Sequence, residues 1–377
     1  MQRMAQDWLV LVQLTHHSAS AVGVVMALQF GPQLLLLPWT GFAADHFNQR
    51  RLLMCTQAAL GALALVLGCL TVAGIVRLWE VEFLAFLQGC AAAFDAPVRQ
   101  TFVAELVGDE DLPNAIALNS TSFNAARMVG PAVAGVAIAA IGTGWAFVIN
   151  GLSFVAVLIS LCFLRASRLR PNARAVRAKG SFLGGFRYVW GRPDLKAILA
   201  MLFLIGTFGL NFPIFISTMA VRVFHADARA FGLLSSIMAI GTMSGALIAA
   251  GRDRIGFGSL LLGAGLFGLG CALGAIAPSY WFFAAALVIT GVAALTFTNA
   301  TNGLMQLSTE PAMRGRVMAL RIGIALGGTP IGAPIIGWVA DTFGPRWALG
   351  VGAASGLVAA IVAALFLVGR GDRESAA

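Results

Sequence analysis

A few ionisable side chains lie inside long apolar stretches of this sequence. Asp7, Asp95 and Arg127 are the clearest cases. A charged side chain at the centre of a bilayer costs at least ~2.5 kcal/mol, so such a residue usually has a partner or a function. A sheltered carboxylate can take up and release a proton, and an arginine can bind an anion. The residue types therefore indicate proton or anion chemistry inside a membrane.

Two acid–base pairs have helical spacing. Asp95 and Arg99 are four residues apart, as are Arg3 and Asp7, so each pair shares one face of a helix. The first pair could act as a gate, couple protons or form a structural ion pair, and the second could also be structural. Arg127 has no acid at helical spacing, so it needs a partner on another helix or an anionic ligand.

The elements that position these residues must be membrane helices. The 377 residues are 59% hydrophobic and 11% charged, whereas soluble domains carry about 25% charged residues. A helix needs about 20 apolar residues to cross a bilayer core, and charge-free runs of that length recur at 19–44, 52–76 and 128–164. The runs are continuous rather than alternating, which favours helices over a barrel. The predicted fold class is an all-α polytopic membrane protein.

Several chemistries are not expected from this composition. The five cysteines stand alone inside apolar runs and the four histidines form no ligand set, so no metal or other cofactor is expected. The chain contains no G-x-x-x-x-G-K-[ST] phosphate loop, which argues against ATP use. The net charge of +9 lies mostly in loops on one side, so nucleic acid is not an expected partner.

Twelve spans can be placed, six on each side of a basic segment. They lie near 1–15, 19–44, 52–76, 82–104, 113–141, 145–164, 196–220, 230–251, 256–277, 280–305, 316–340 and 347–368. The expected domains are a six-helix bundle at 1–164, a basic linker at 165–196, and a second six-helix bundle with a short tail at 197–377. The first span would be about 22 Å long, less than the roughly 30 Å bilayer core, so a shortened first helix is expected.

Basic residues are distributed unevenly between the two sides. The linker, the loops on its side and the C-terminal tail hold eighteen Lys and Arg residues, with Arg321 counted among them. The opposite loops hold only four, Arg77, Arg222, Arg229 and Arg346. Because Lys and Arg accumulate in cytoplasmic loops, the linker and both termini are predicted to be cytoplasmic in a multi-pass protein of the plasma (inner) membrane.

The two halves repeat each other at an offset of 202 residues. The segment 141–146 (IGTGWA) aligns with 343–348 (FGPRWA), and 117–118 aligns with 319–320. At the same offset, Gly130 and Gly135 meet other glycines, Gly332 and Gly337. Internal repeats of this kind build many secondary transporters, with the substrate site near the midplane between the repeats.

The loop between spans two and three, 41–51 (GFAADHFNQRR), resembles the signature loop of the major facilitator superfamily, G-x-L-A-D-R-x-G-R-[KR]. The resemblance implies a conformational latch between helices, formed by Gly41, Asp45, Arg50 and Arg51. The sequence departs from the pattern at three positions, His46, Asn48 and Gln49. The alternative is a plain short turn with positive-inside charges.

A second resemblance covers nearly the whole chain. The segments 94–100 (FDAPVRQ), 112–119 (LPNAIALN) and 314–318 (RGRVM) are similar to those of the transmembrane secretion effectors, a branch that includes the enterobactin exporter. The stretch 130–135 (GPAVAG) resembles the G-P-x-x-G-G element of exporters, which implies a helix-kink motif formed by Gly130, Pro131 and Gly135. A role in kinking and packing alone is the alternative.

The superfamily's proton-relay pattern, R-x-x-Q-G, is incomplete here. Gln88 and Gly89 are present, but Ala85 stands at the arginine position. Asp7 and Arg127 are the intramembrane charges left to replace it, on spans that border the first-half cavity in this superfamily. We hypothesise that Asp7 gains and loses a proton during the cycle and that Arg127 tunes the pKa of Asp7. Asp7, Arg127 and Gln88 are therefore candidates for proton coupling or for substrate binding.

Residues of three other spans are candidates for a cavity. Span seven is rich in phenylalanine at helical spacing, with a lipid-facing or core stripe as the alternative. Span ten is more polar than lipid contact would favour, so its polar face is expected to point inward. The candidates are Asn119, Asn211, Phe212, Asn299 and Asn302.

The resemblance implies a twelve-helix facilitator fold of two six-helix bundles around a central cavity that opens alternately to each side. The implied function is secondary active export of a drug-like or siderophore-like molecule by proton antiport. The expected partners are protons, membrane lipids and the small-molecule substrate, and a monomer is expected. Nutrient import or lysophospholipid flipping is the alternative within this fold. A non-transporting sensor and a membrane enzyme are alternatives from other classes.

We expect the linker to be inaccessible from outside intact cells, because its basic residues predict a cytoplasmic position. The substitution Arg174→Cys, made after replacing the five native cysteines, should not react with a membrane-impermeant maleimide until the cells are permeabilised. Arg77→Cys, in an opposite loop, is the matched control and should react in intact cells. Ready labelling at position 174 from outside would contradict the topology.

Overall fold

The structure is a computed structural model that describes residues 1–108, 110–164, 182–250 and 256–375. Within these ranges every regular element is a helix, and none is a strand. Residues 165–181 of the predicted basic linker lie outside the described residues. Its described part contains the short helix α7 (Phe182–Trp190) and the start of α8.

The first half contains six α-helices. They are α1 (Gln2–Trp8), α2 (Ala19–Leu35), α3 (Leu37–His46), α4 (Gln49–Val72), α5 (Leu78–Leu106) and α6 (Leu112–Phe163). A π-helical turn, Leu9–Leu14, extends α1. The first span therefore ends at Leu14 and is short, as predicted.

The second half is helical from α7 onward. After α7 come α8 (Pro193–Leu204), α9 (Phe212–Thr218), α10 (Ala228–Ala250), α11 (Phe257–Ala275), α12 (Tyr280–Leu307), α13 (Pro311–Thr342) and α14 (Pro345–Ser375). Two π-helical turns, Ile205–Gly209 and Met219–Val223, make α8 and α9 one irregular span. Proline occupies the first turn of α8, α9 and α13, where its missing N–H has no intrahelical partner to lose.

The described chain has the twelve predicted helical spans. Nine helical segments in these ranges are long and apolar enough to cross a membrane. One of them is the 52-residue α6, which contains two spans because Gly142 interrupts its helical geometry. The remaining two spans are α1 with its π-helical turn, and α2 continued by α3.

Equivalent glycines turn the chain in the two halves. Gly142 has φ 84° and Gly344 has φ 103°, in the left-handed region that glycine adopts without a Cβ penalty. The two positions are 202 residues apart, which is the offset of the sequence repeat. The repeated halves therefore share a backbone turn as well as sequence similarity.

The chain divides into two compact units. The first comprises the described residues of Met1–Arg177 together with Ala226–Leu233. The second comprises those of Ala178–His225 and Leu234–Ala377. The segment Ala226–Leu233, which contains the start of α10, therefore packs with the first unit, although it follows the linker in sequence.

Each unit has its own apolar core. In the first unit, α4 and α5 contribute a cluster with the end of α6, formed by Leu53, Val98, Phe102 and Leu161. In the second unit, Phe267 of α11 and Phe297 of α12 are fully buried. In a bilayer the alternative to burial is contact with lipid, so these side chains stabilise the unit through close packing rather than through removal from water.

Close helix packing in the first unit depends on Gly135 in α6. A Cβ added to Gly135 would lie 2.5 Å from the carbonyl oxygen of Ala228 and 3.1 Å from the Cα of Gly232, both in α10. A Cβ on Gly232 would meet the carbonyl oxygen of Pro131 at 2.5 Å. Gly130, in contrast, has no described neighbour within 4 Å of an added Cβ. Within the predicted helix-kink motif, Gly135 is the glycine that permits close approach.

We expect Gly135→Ala to destabilise the protein, because the added methyl group would press on the α10 backbone. Overpacking of this kind costs about 1–3 kcal/mol. Gly130→Ala is the matched control and should be neutral or stabilising, since alanine favours a helix over glycine by about 1 kcal/mol. Thermal unfolding of both variants in the same detergent measures the difference, and equal melting temperatures would refute the packing argument.

Candidate functional site

Asp95 is the centre of a buried polar cluster between α4 and α5. Its side chain is 1% exposed. It accepts hydrogen bonds from Thr56 Oγ1 at 3.0 Å and from Gln57 Nε2 at 2.6 Å, both on α4. It also forms a salt bridge with Arg99, one turn further along α5. Three donors from two helices therefore hold this carboxylate in place.

Arg99 differs from Asp95 in its surroundings, because its side chain is 58% exposed. Only the acidic member of the pair is buried. If this ion pair opens, the exposed Arg99 can be solvated, so only Asp95 is left as a buried charge. A second buried, unpaired charge would cost several kcal/mol more. The geometry is compatible with the predicted gate and with a structural ion pair, and the role of the pair stays a prediction.

A chain of three glutamine side chains connects α1, α2 and α5. Gln29 Nε2 donates to Gln6 Oε1 at 2.7 Å and to Gln88 Oε1 at 3.4 Å. Gln6 and Gln29 are buried. The Nε2 group of Gln6 is buried without a hydrogen-bond partner among the described atoms. Gln88, a predicted member of the coupling site, is thereby connected to the residue that precedes Asp7.

Asp7 is buried in α1 beside this glutamine chain. Among the described residues, neither Arg3 nor Arg127 lies within the 4.0 Å distance of an ion pair with Asp7. Arg3 places its guanidinium over the ring of Phe30, 4.5 Å from the ring centroid. Arg3 still interacts electrostatically with both Asp7 and Arg127. The described structure has no direct Asp7–Arg127 pair, and the side chain of Arg127 is exposed.

The predicted latch loop joins α3 to α4. Gly41 and Asp45 belong to α3, and their side-chain positions lie outside the described part of the structure. Arg50 donates from Nε to the carbonyl oxygen of Leu161 at 2.8 Å and from Nη2 to that of Cys162 at 3.0 Å. These carbonyls end α6, where a cation is favoured by the helix dipole. Arg50 thus ties the loop to the end of the first six spans.

Asn48 replaces the glycine of the signature loop and caps α4. Its side-chain oxygen accepts the backbone N–H of Arg51 at 3.0 Å, which is the typical N-cap contact. Of the two arginines in the predicted latch, Arg51 therefore makes its described hydrogen bond through the backbone N–H, whereas Arg50 makes its hydrogen bonds through the side chain.

Asn211 lies in the break between the π-helical turn Ile205–Gly209 and α9. It is fully buried, and its Nδ2 donates to the carbonyl oxygen of Thr207 at 2.6 Å. Asn211 Oδ1 and Thr207 Oγ1 are buried without partners among the described atoms. A Cβ on Gly332 of α13 would overlap the Thr207 carbonyl, so α13 packs directly on this break.

The other predicted cavity residues have different environments. Phe212 is half-buried and lines a small apolar pocket with Phe283 and Leu287 of α12. Asn119 and Asn299 are exposed, and Asn302 is half-buried. Within the second unit, Asn299 and Asn302 share α12, whereas Asn211 and Phe212 lie at the start of α9.

Arg321 lies inside α13 and not in a loop, which corrects its assignment from the sequence. Helix α13 begins at Pro311, so Arg321 is almost three turns into the helix. Its side chain is 9% exposed and hydrogen-bonds to α12. The sequence repeat could have indicated an interior position for Arg321. At the offset of 202 residues, Arg321 aligns with Asn119, a predicted cavity residue. The excess of basic residues on the linker side persists without it.

Arg192 connects the start of α8 to the end of α12. It forms a two-point salt bridge with Asp194, at 3.0 and 2.8 Å, and donates to the carbonyl oxygen of Ser308 at 3.2 Å. The hydrogen bond with the Asp194 carboxylate raises the pKa of Arg192 above its usual value. Arg192 therefore stays charged at any physiological pH.

The whole chain, residues 1–377, matches the family model of the transmembrane secretion effectors. The protein therefore belongs to the transmembrane secretion effector family of the major facilitator superfamily, as its motifs indicate.

Three relatives illustrate the family. The staphyloferrin A transporter of Staphylococcus aureus is 24% identical over 344 residues, which cover 90% of this chain and 85% of that protein. The multidrug efflux pump Tap of Mycolicibacterium fortuitum is 27% identical over 365 residues, with 90% and 85% coverage. The enterobactin exporter EntS of Shigella boydii is 25% identical over 372 residues, with 95% and 85% coverage.

A solved structure supports the same fold. A mutant of the nucleoside transporter NupG superposes with a TM-score of 0.76 and 15% sequence identity, covering 96% of both chains. At this identity the likeness concerns the fold alone. The sequence match and the fold together define a multi-pass membrane transporter of the twelve-helix facilitator class, and its relatives are transporters rather than enzymes.

We expect Asp95→Asn to destabilise the first unit, because three donors lose an ionised acceptor. One hydrogen bond to a charged group is worth about 1.5–3 kcal/mol, so the loss should be at least of that size. Glu105→Gln, also on α5 and without a described ion pair, is the control and should change stability little. Unfolding in detergent measures both effects. Equal stability of Asp95→Asn and wild type would contradict a structural contribution from this cluster.

Proposed function

We propose that this protein exports a small organic molecule from the cytoplasm by alternating access, coupled to proton entry. The observation that carries the proposal is membership of the secretion effector family along the full length of the chain. Relatives named as an enterobactin exporter and a multidrug efflux pump support the direction of transport and a siderophore-like or drug-like cargo.

Asp7 supports the proton-coupling part of the proposal. Its carboxyl group is buried in α1 and has no direct ion pair among the described residues. A carboxyl group that is not held by an ion pair can gain and lose a proton when its access to water changes. Asp95, in contrast, is held by three donors. The proton carrier is therefore assigned to Asp7, and Asp95 stabilises the helices around it.

The glutamine chain offers a route from Asp7 to other helices. Gln6 is adjacent to Asp7, and Gln29 joins Gln6 to Gln88. If α1 shifts when Asp7 changes charge, the hydrogen bonds of Gln29 must rearrange with it. Protonation at one helix would then bias the positions of α2 and α5, which is how a local charge change alters the balance between two states.

The proposed orientation follows from the basic linker. We place the linker and both termini in the cytoplasm, and the protein in the plasma (inner) membrane. Cargo then enters from the linker side and leaves from the opposite side, while protons move inward.

The test is accumulation in everted membrane vesicles with an acidic interior. Wild-type vesicles should accumulate ethidium or a citrate-type siderophore only while the pH gradient is present. Asp7→Asn should reduce accumulation to the level seen without a gradient, because an amide cannot carry the proton. Glu82→Gln, an acid of α5 in the same unit, is the control and should keep gradient-driven accumulation.

The assay separates the competing proposals. Full gradient-driven accumulation by Asp7→Asn would make Asp7 a structural residue and move the coupling site elsewhere, with Asp95 next. Accumulation in right-side-out vesicles, with none in everted vesicles, would establish import instead of export. If no gradient drives any of the probes, proton antiport is refuted for these cargoes.

A further inference from the structure

Arg321 is a buried cation that contacts only neutral acceptors. Its Nη2 group donates to the carbonyl oxygen of Thr298 at 3.0 Å and to Thr301 Oγ1 at 3.2 Å, both on α12. The residue is 9% exposed. Among the described side chains, no Asp or Glu oxygen lies within 4.0 Å of it. The described part of the chain thus provides no counter-ion for this charge.

The guanidinium of Arg321 also has an unused edge. Its Nε group is buried and has no hydrogen-bond partner among the described atoms. The N–H groups of arginine lie in one plane. Nη2, the terminal nitrogen on the same edge as Nε, already donates to α12, so Nε is the donor that is left for a ligand on this edge. A buried donor without a partner costs about 1–3 kcal/mol. An oxyanion at this edge would satisfy both the charge and the donor.

Two arginines of the same unit show the contrast. Arg222 pairs with Asp341 at 3.1 Å and donates to the carbonyl oxygen of Ala340. Arg192 pairs with Asp194 at 2.8 Å. Each of these two cations is neutralised by an acid of the chain, and each is more exposed than Arg321. Arg346 donates to the carbonyl oxygen of Ala277 at 3.0 Å without a described acidic partner, but it is exposed. Arg321 differs from these three arginines because it is both buried and without a described acidic partner.

The neighbouring face of α12 can add contacts to the same ligand. Asn302 follows Thr301 and is half-buried, and Asn299 follows Thr298 and is exposed. An asparagine side chain donates two hydrogen bonds, so it suits an oxyanion already bound to an arginine. Both asparagines are therefore candidates for additional contacts to the ligand.

A soluble anion fits this site better than a lipid phosphate. An arginine that serves lipid headgroups extends its charge toward the membrane interface. Arg321 is instead more than nine-tenths covered by protein and is held against α12 by two hydrogen bonds.

We infer that Arg321 is an anion-binding residue of the second unit and that the transported molecule carries a carboxylate or a similar oxyanion. The inference rests on the proposed export function and adds the charge class of the cargo. Thr298 and Thr301 position the guanidinium through Nη2, and the unpartnered Nε donates to the anion.

Binding to the purified protein in detergent tests the inference without requiring transport. Calorimetry with citrate, salicylate and the cationic dye ethidium compares wild type with Arg321→Gln, Arg321→Lys and Arg222→Gln. Arg321→Gln should weaken binding of citrate or salicylate by roughly 10- to 100-fold, the size of one charge-assisted hydrogen bond. Arg321→Lys should weaken it less, because lysine keeps the charge and loses only the Nε donor. There are two controls. Arg222→Gln should bind the anions as wild type does, and the affinity for ethidium should not fall in the order wild type, Arg321→Lys, Arg321→Gln.

Several outcomes would overturn the inference. They are equal anion affinity in Arg321→Gln and wild type, no binding of either anion by wild type, and Arg321-dependent binding of phosphatidylglycerol but of neither soluble anion. If Arg321→Gln does not fold, Thr301→Val replaces it and should weaken anion binding by disturbing the position of the guanidinium. Unchanged affinity in both Thr301→Val and Arg321→Lys would then refute the site.

The same samples in everted vesicles separate this inference from the proposed function. Gradient-driven ethidium accumulation that is equal in wild type and Arg321→Gln, without anion binding, would leave the export function standing and refute the anion site. Arg321-dependent anion binding without accumulation of any probe would refute the export function and keep the site.

Discussion

The absence of water from the bilayer core is the constraint on which this structure depends. Helices satisfy the hydrogen bonds of their own backbone groups. A polar side chain at that depth must therefore bind a partner within the protein or a ligand. Asp95 has three partners. Asp7 has no direct ion pair in the described structure, and Arg321 keeps a buried, unpartnered Nε. Under the proposals made above, this difference separates side chains that stabilise the fold from side chains that act in transport.

Irregular helix geometry occurs beside these polar groups. The first span of each half contains a π-helical turn, at Leu9–Leu14 and at Ile205–Gly209. Asp7 lies just before the first turn and Asn211 just after the second. A π-helical turn leaves local backbone groups less tightly paired and often marks a functional position. In the second unit, α13 packs directly against this turn at Gly332.

The repeated halves keep a common frame and carry different charges. Gly142 and Gly344 make equivalent left-handed turns. The charged residues described as buried are acids in the first unit, Asp7 and Asp95, and an arginine in the second, Arg321. A proton carrier needs an acid, and anion recognition needs a cation. Under the proposals made above, the two halves have diverged in chemistry while their backbones stayed similar.

The sequence by itself determined the fold class, the twelve spans and the repeat, because apolar run length, basic residues and glycine positions act locally. It also predicted the Asp95–Arg99 pair, whose members share one helix. Only the tertiary structure decided that Gln29 joins Gln6 to Gln88, that Arg50 caps α6, and that Arg321 is buried against α12. These contacts join residues on different helices, and their formation depends on how the helices rotate and pack, which no local spacing specifies.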